Sequence, residues 1–78
     1  TKYDRIQFLF RFFPDKSFML VGDTSQQDMA IYATIAREYP ARVKGILIRR
    51  VRRAAAPEKV DRYRDTFREL GIPFEMIR

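Results

Sequence analysis

Two short apolar runs, Ser17 to Val21 and Val43 to Ile48, are the tightest constraint on this chain. Neither alternates with polar residues, and each is followed by helical periodicity, as expected of parallel strands buried on both faces. Gly22 closes the first run. Upstream, Tyr3, Ile6, Leu9, Phe10 and Phe13 recur at helical spacing and define a helix from Lys2 to Phe13, with Asp4, Gln7 and Arg11 opposite and Pro14 as its stop. Phe8 and Phe12 fall on a flank outside that stripe, more apolar surface than one sheet face covers. A second helix runs from Asp28 to Tyr39, with Ile31, Tyr32, Ile35 and Tyr39 inward and Pro40 as its stop. Pro57 stands where a first helical residue belongs. Val60, Tyr63, Phe67 and Leu70 form the inward stripe of the third helix, Gly71 ends it, and Pro73 to Ile77 is a last short strand.

The order helix, strand, helix, strand, helix, strand predicts right-handed crossovers and a parallel three-stranded sheet flanked by helices, an α/β fold in three layers. No linker, repeat or low-complexity tract divides the 78 residues. A chain of this size buries a small core, and three strands are few for a parallel sheet, so part of a larger domain is expected. The start at Thr1, without Met, reads as an excised piece.

Composition narrows the chemistry. With 0 Cys and 0 His, thiolate and imidazole sites and the Ser-His-Asp arrangement are excluded. Carboxylates, amines, guanidinium groups and hydroxyls remain, which suit Mg²⁺ and phosphate. A net charge of +6 and a pI near 10.2 suit an anionic partner: a phosphorylated molecule, an acidic membrane surface or nucleic acid. No apolar run reaches the roughly 18 residues of a membrane span. A cytoplasmic chain, peripheral to a membrane at most, is expected.

Ligands of open parallel sheets bind beyond the carboxyl ends of the strands. The turn there is Gly22-Asp23-Thr24-Ser25-Gln26-Gln27-Asp28, with a carboxylate at each end and hydroxyls and amides between. Asp23 leaves a strand directly after a glycine, and Asp28 stands at the positive end of a helix. Paired oxygen ligands of this kind suit Mg²⁺, although Asp28 alone reads more readily as a helix-start residue than as a ligand.

The stretch Phe13-Pro14-Asp15-Lys16-Ser17-Phe18-Met19-Leu20-Val21-Gly22-Asp23-Thr24-Ser25-Gln26-Gln27-Asp28, continued by Ile31-Tyr32, Ile35-Ala36, Tyr39-Pro40, Arg42-Val43 and Ile46-Leu47-Ile48-Arg49, closely resembles the actin-patch-type phosphatidate phosphatases. The resemblance covers about Lys2 to Val51. It implies the C-terminal half of a haloacid-dehalogenase-like Rossmannoid domain that dephosphorylates phosphatidic acid. It further implies Asp23 as a Mg²⁺ ligand with Asp28 as its partner, and Lys2 as the lysine that steadies negative charge on nucleophile and phosphate. An ordinary solvated lysine is the alternative for Lys2. The nucleophile motif of that superfamily, Asp-x-Asp-Gly-Thr, is absent from the sequence, so the chain alone is expected to be inactive. The strand that carries the motif in the superfamily pairs with the first strand here. Its absence leaves an edge for self-association or for the remainder of the same domain.

Arg49, Arg50, Arg52 and Arg53 follow the second strand on the same sheet end as Asp23. Arg49 and Arg50 are candidates for binding a phosphate or an anionic headgroup. A solvated loop is the alternative, and a nucleic-acid or catalytically degenerate interaction module is the rival function. The absence of aromatic residues from Arg49 to Ala56 counts against nucleic acid.

Overall fold

A computed structural model describes residues 1–77. Its elements run in the expected alternation: α1 (Lys2–Phe12), β1 (Phe18–Asp23), α2 (Gln26–Glu38), a 3-10 turn (Pro40–Arg42), β2 (Val43–Arg49), α3 (Pro57–Glu69) and β3 (Phe74–Ile77). The strands form one parallel sheet in the order β1-β2-β3. Among the described residues no helix is long and apolar enough to cross a membrane.

Local sequence explains the ends of the elements. Thr1 and Asp4 cap α1 reciprocally: the Asp4 N–H donates to Thr1 Oγ1 at 3.3 Å, and that hydroxyl donates to Asp4 Oδ2 at 2.9 Å. The Ser25 hydroxyl accepts from the Asp28 N–H at 3.2 Å, so α2 starts at Gln26, two residues before the expected Asp28. Gly71, at φ 73°, takes the left-handed conformation that lets the chain turn from α3 toward β3.

The expected third layer is not formed by the described residues. Leu20, Ile46 and Ile48 are buried under helices, whereas Met19 and Val21, on the opposite face of β1, are 54% and 62% exposed. Phe74, in register with Ile46, stacks on Phe67 of α3 at 5.5 Å, and Phe18 stacks on Phe10 of α1 at 5.4 Å. All three helices therefore lie on one face. The reason is topological. Two right-handed crossovers that step across the sheet in the same direction must pass over the same side. The strands are accordingly buried on one face only, a correction to the reading of β1 as buried on both.

The core consists of Ile6, Phe10, Leu20, Met29, Tyr32, Ala33, Ile35, Ala36, Val43, Ile46, Ile48, Val60, Phe67 and Ile72, with Ala55 at its rim. Leu9 and Phe13, expected inward on α1, are 40% and 43% exposed. Only Ile6 and Phe10 are buried from that helix, because α1 touches the sheet at the β1 edge and not across its middle. α2 lies between α1 and α3 and buries the small residues Ala33 and Ala36 as well as Met29, none of which the inward stripe had included.

Arg42 fixes the turn between α1 and β1. Its Nε donates to the Lys16 carbonyl at 2.7 Å, and Nη2 donates to the carbonyls of Phe13 at 2.6 Å and Phe10 at 3.1 Å. The guanidinium lies 4.7 Å from the Phe10 ring centroid. These carbonyls include orphan acceptors at the end of α1. Arg42→Ala should lower the unfolding free energy by about 1.5–3 kcal/mol, the range for hydrogen bonds to charged groups. Arg42→Lys should not restore it, since an ammonium lacks the planar fork. Urea denaturation of the parent and both variants measures this, and equal midpoints would refute it.

Candidate phosphate and cation site

Gly22 brings β1 and α2 close together. A Cβ at this position would lie 2.7 Å from Asp28 Oδ2 and 2.7 Å from Tyr32 Cε2, closer than side chains tolerate. The gap is occupied by α2, whose Asp28 and Tyr32, four residues apart, share a helical face. Tyr32 donates its hydroxyl to the Val21 carbonyl at 2.6 Å, and Asp28 Oδ2 accepts the Asp23 N–H at 3.0 Å. The backbone on either side of Gly22 is thereby held by two side chains of α2.

The other oxygen of Asp28 completes the cluster. Asp28 Oδ1 accepts from Lys2 Nζ at 2.7 Å, joining the first turn of α1 to the first turn of α2. Asp28 is buried, and the Lys2 side chain is 42% exposed, so the ammonium is reachable from solvent while one of its three donors is committed. Asp23 Oδ1 accepts the Ser25 N–H at 2.9 Å, and among the described residues no hydrogen bond reaches Oδ2. Lys2, Asp23 and Asp28, singled out from sequence, thus come together at the carboxyl end of β1.

The charges favour their ionised forms. The hydrogen bond to Asp28 raises the Lys2 ammonium above its ordinary value of 10.5, with Tyr32, Asp28 and Asp23 adding to it against partial desolvation. Ser25, through its side chain and then its N–H, lowers the Asp23 carboxyl below 3.8, with Lys2 and Arg49 contributing. Burial raises Tyr32. A raised Lys2 stabilises the fold fully below about pH 10.5, and this contribution is lost as pH rises through the folded value. A lowered Asp23 stabilises it above about pH 3.8, and this contribution is lost as pH falls through the folded value. Lys2→Met should therefore flatten part of the alkaline decline in urea midpoint, with a smaller change on the acid side through Asp23. Asp23→Asn should act chiefly on the acid side, with a smaller change on the alkaline side through Lys2. Midpoints measured across the pH range check both, and an unchanged alkaline limb in Lys2→Met would contradict the pairing.

The two candidate arginines separate. Arg49 is in register with Asp23 and is exposed at the strand end. Arg50, one residue on, turns to the other face, where its Nη2 lies 3.3 Å from Met76 Sδ, beside a cavity of about 120 Å³ lined by Thr24, Ala55, Val60 and Arg64. Adjacent residues leaving a strand point to opposite faces. Of the two, Arg49 stands beside Asp23.

Thr24 carries a role that motif reading missed. It is 2% exposed, and all its polar groups are engaged: its N–H donates to the Arg49 carbonyl at 3.0 Å, its hydroxyl accepts from the Val51 N–H at 3.0 Å, and its carbonyl accepts from the Ala55 N–H at 2.7 Å. It ties the Asp23 turn to the basic connection after β2.

With Mg²⁺ in view, the donor set is incomplete. Among the described residues no three acidic side chains converge, and both oxygens of Asp28 are engaged. Asp23 keeps one carboxylate oxygen without a hydrogen bond among the described residues, so the arrangement fits part of a Mg²⁺ shell.

Residues 1–50, the portion that carries α1, β1, α2, β2 and the whole cluster, match the family Phosphatidate phosphatase APP1, catalytic domain. The chain belongs to this family. As a member of the phosphatidate phosphatase APP1 catalytic-domain family, it is also 46% identical over 37 residues to an uncharacterized protein of Schizosaccharomyces pombe. That match covers 47% of this chain and 6% of the yeast protein, so the chain spans a small part of its relative's length. No solved structure matches it.

Proposed function

We propose that this chain is the part of a Mg²⁺-dependent phosphatidate phosphatase, of haloacid-dehalogenase-like fold, that surrounds the transferred phosphoryl group with cationic and metal-holding side chains. The observation that carries the reading is the Lys2–Asp28–Asp23 cluster at the carboxyl end of β1, inside the segment that matches the family. Asp23 would hold the metal ion through its uncommitted oxygen, with Asp28 behind it. When bound, the ion supplies neutralisation of charge on the phosphoryl oxygens. Lys2 presents its remaining N–H donors to the same negative charge, and Asp28 fixes where the ammonium stands. Arg49 adds a second cation beside Asp23. The nucleophile is not supplied by this chain, since no Asp-x-Asp-Gly-Thr occurs in it, and Asp23 and Asp28 are committed elsewhere. The chain alone hydrolyses no phosphate ester.

Amide NMR of the 78-residue chain tests the cation site. Mg²⁺ should shift Gly22 to Asp28 first and weakly, because an incomplete octahedral shell binds poorly. Asp23→Asn should remove those shifts. Changes spread evenly over the acidic surface, or none at this turn, would remove Asp23 from the metal site.

A further inference from the structure

α1 turns an unusual face outward. Phe8 and Phe12 are 63% and 65% exposed, lie one turn apart and stack on each other with ring centroids 5.8 Å apart. Phe12 meets Phe13 edge-on at 4.9 Å. The core side of the helix is already satisfied by Ile6 and Phe10, so these rings do not serve the fold of the described residues. Arg5 and Arg11, both exposed, flank the ring pair at helical spacing. Of the nearby acids, Asp4 caps α1 with Thr1 and keeps its negative charge one turn before Phe8, and Asp15 sits past the helix end, so the two arginines outnumber the one acid on the outer face of the helix.

We propose that this outer face of α1 docks the protein on an anionic bilayer, with Phe8 and Phe12 entering the interface and Arg5 and Arg11 meeting the lipid headgroups. The inference rests on the phosphatidate phosphatase reading in one respect: a lipid substrate must be met at a membrane surface. Independent support is the pattern itself, aromatic rings between arginines on one helix face, which is the composition of helices that lie in the plane of an interface. An anionic surface attracts each of the two arginines. The platform is rigid, because Arg42 pins the carbonyls of Phe10, Phe13 and Lys16 beneath it. Lys2 lies on the same helix, about 9 Å along the axis from Phe8 and about 15 Å from Phe12 at 1.5 Å per residue. Docking by the rings would thus hold the candidate phosphate site near the headgroup layer.

The test uses the full-length protein that contains this chain, with vesicles of phosphatidylcholine with and without phosphatidylserine, an anionic lipid that carries no terminal phosphate. The parent should sediment with the phosphatidylserine vesicles, less so as salt rises. Phe8→Ala/Phe12→Ala should weaken that binding about tenfold or more, from the lost apolar burial. Arg5→Glu/Arg11→Glu should abolish the preference for phosphatidylserine, at about fivefold per residue removed. Turnover of phosphatidate in vesicles should fall relative to turnover of a soluble phosphate monoester in both variants. Should the alanine pair fail to fold, the charge pair, which alters only exposed groups, decides. A parent that ignores phosphatidylserine vesicles overturns the proposal, as do variants that bind like the parent or rings that prove shielded by another part of the protein. Vesicle binding that is lost in the variants of a protein without any phosphatase turnover upholds docking and removes the phosphatase reading alone.

Discussion

Phe67→Ala should leave this chain largely unfolded at room temperature. Phe67 is fully buried on α3, and its ring stacks on Phe74 of β3, so it joins the third helix to the sheet. Truncating a buried phenylalanine to alanine costs about 3–5 kcal/mol through lost transfer energy and the cavity left behind. A globular chain of 78 residues has roughly 4–12 kcal/mol in total, and the bare sheet face places this one toward the lower end. Far-UV circular dichroism with urea titration measures the loss. Phe8→Ala is the control, since that ring is mostly exposed and its removal should shift the midpoint little. Equal midpoints for the two variants would mean that the packing of α3 on the sheet has been misassigned.

Much of this fold was legible because each element is bounded by a residue with a local mechanism. Pro14, Gly22, Pro40, Pro57 and Gly71 all stand within two residues of the ends of elements. What could not be read was which face of each element meets which neighbour. α1 has more apolar positions than one face can bury, and periodicity alone does not choose among overlapping stripes; contact at the β1 edge selects Ile6 and Phe10 and leaves Leu9 and Phe13 outside. The burial of Ala33 and Ala36 follows from the central place of α2, a tertiary fact that small side chains do not announce. Continuous apolar runs such as Ser17 to Val21 fit a strand covered on both faces, yet Met19 and Val21 are exposed in a sheet whose crossovers all step one way.

The candidate site divides along a similar line. Gly22, Asp23 and Asp28 were visible through their spacing, and the geometry joins Lys2 to them. Tyr32 and Thr24 act through backbone groups, the Val21 carbonyl and the Arg49-to-Ala55 connection, and no side-chain pattern marks such bonds. A signal existed for Tyr32, which lies one helical turn beyond Asp28 and so shares its face. The alternation of directions along a strand would likewise have separated Arg49 from Arg50.

Substitution of the two aspartates should separate their roles in the full-length protein. Asp23→Asn keeps the volume and the acceptor for the Ser25 N–H but removes the charge at the uncommitted oxygen. Turnover should fall about 10²–10³-fold, as when one preorganised electrostatic contact to a transition state is lost. Asp28→Asn keeps an oxygen for the Asp23 N–H and loses the charge that holds Lys2. If Asp28 acts by placing that ammonium, Asp28→Asn and Lys2→Met should each lower kcat, and the double variant should be hardly worse than either, since both remove the same contact. Mg²⁺ affinity distinguishes the sites further: it should drop in Asp23→Asn and change far less in Lys2→Met. Full additivity of the Lys2 and Asp28 effects would show that the 2.7 Å contact between them does not operate in catalysis, and an enzyme indifferent to Asp23→Asn would place the metal elsewhere.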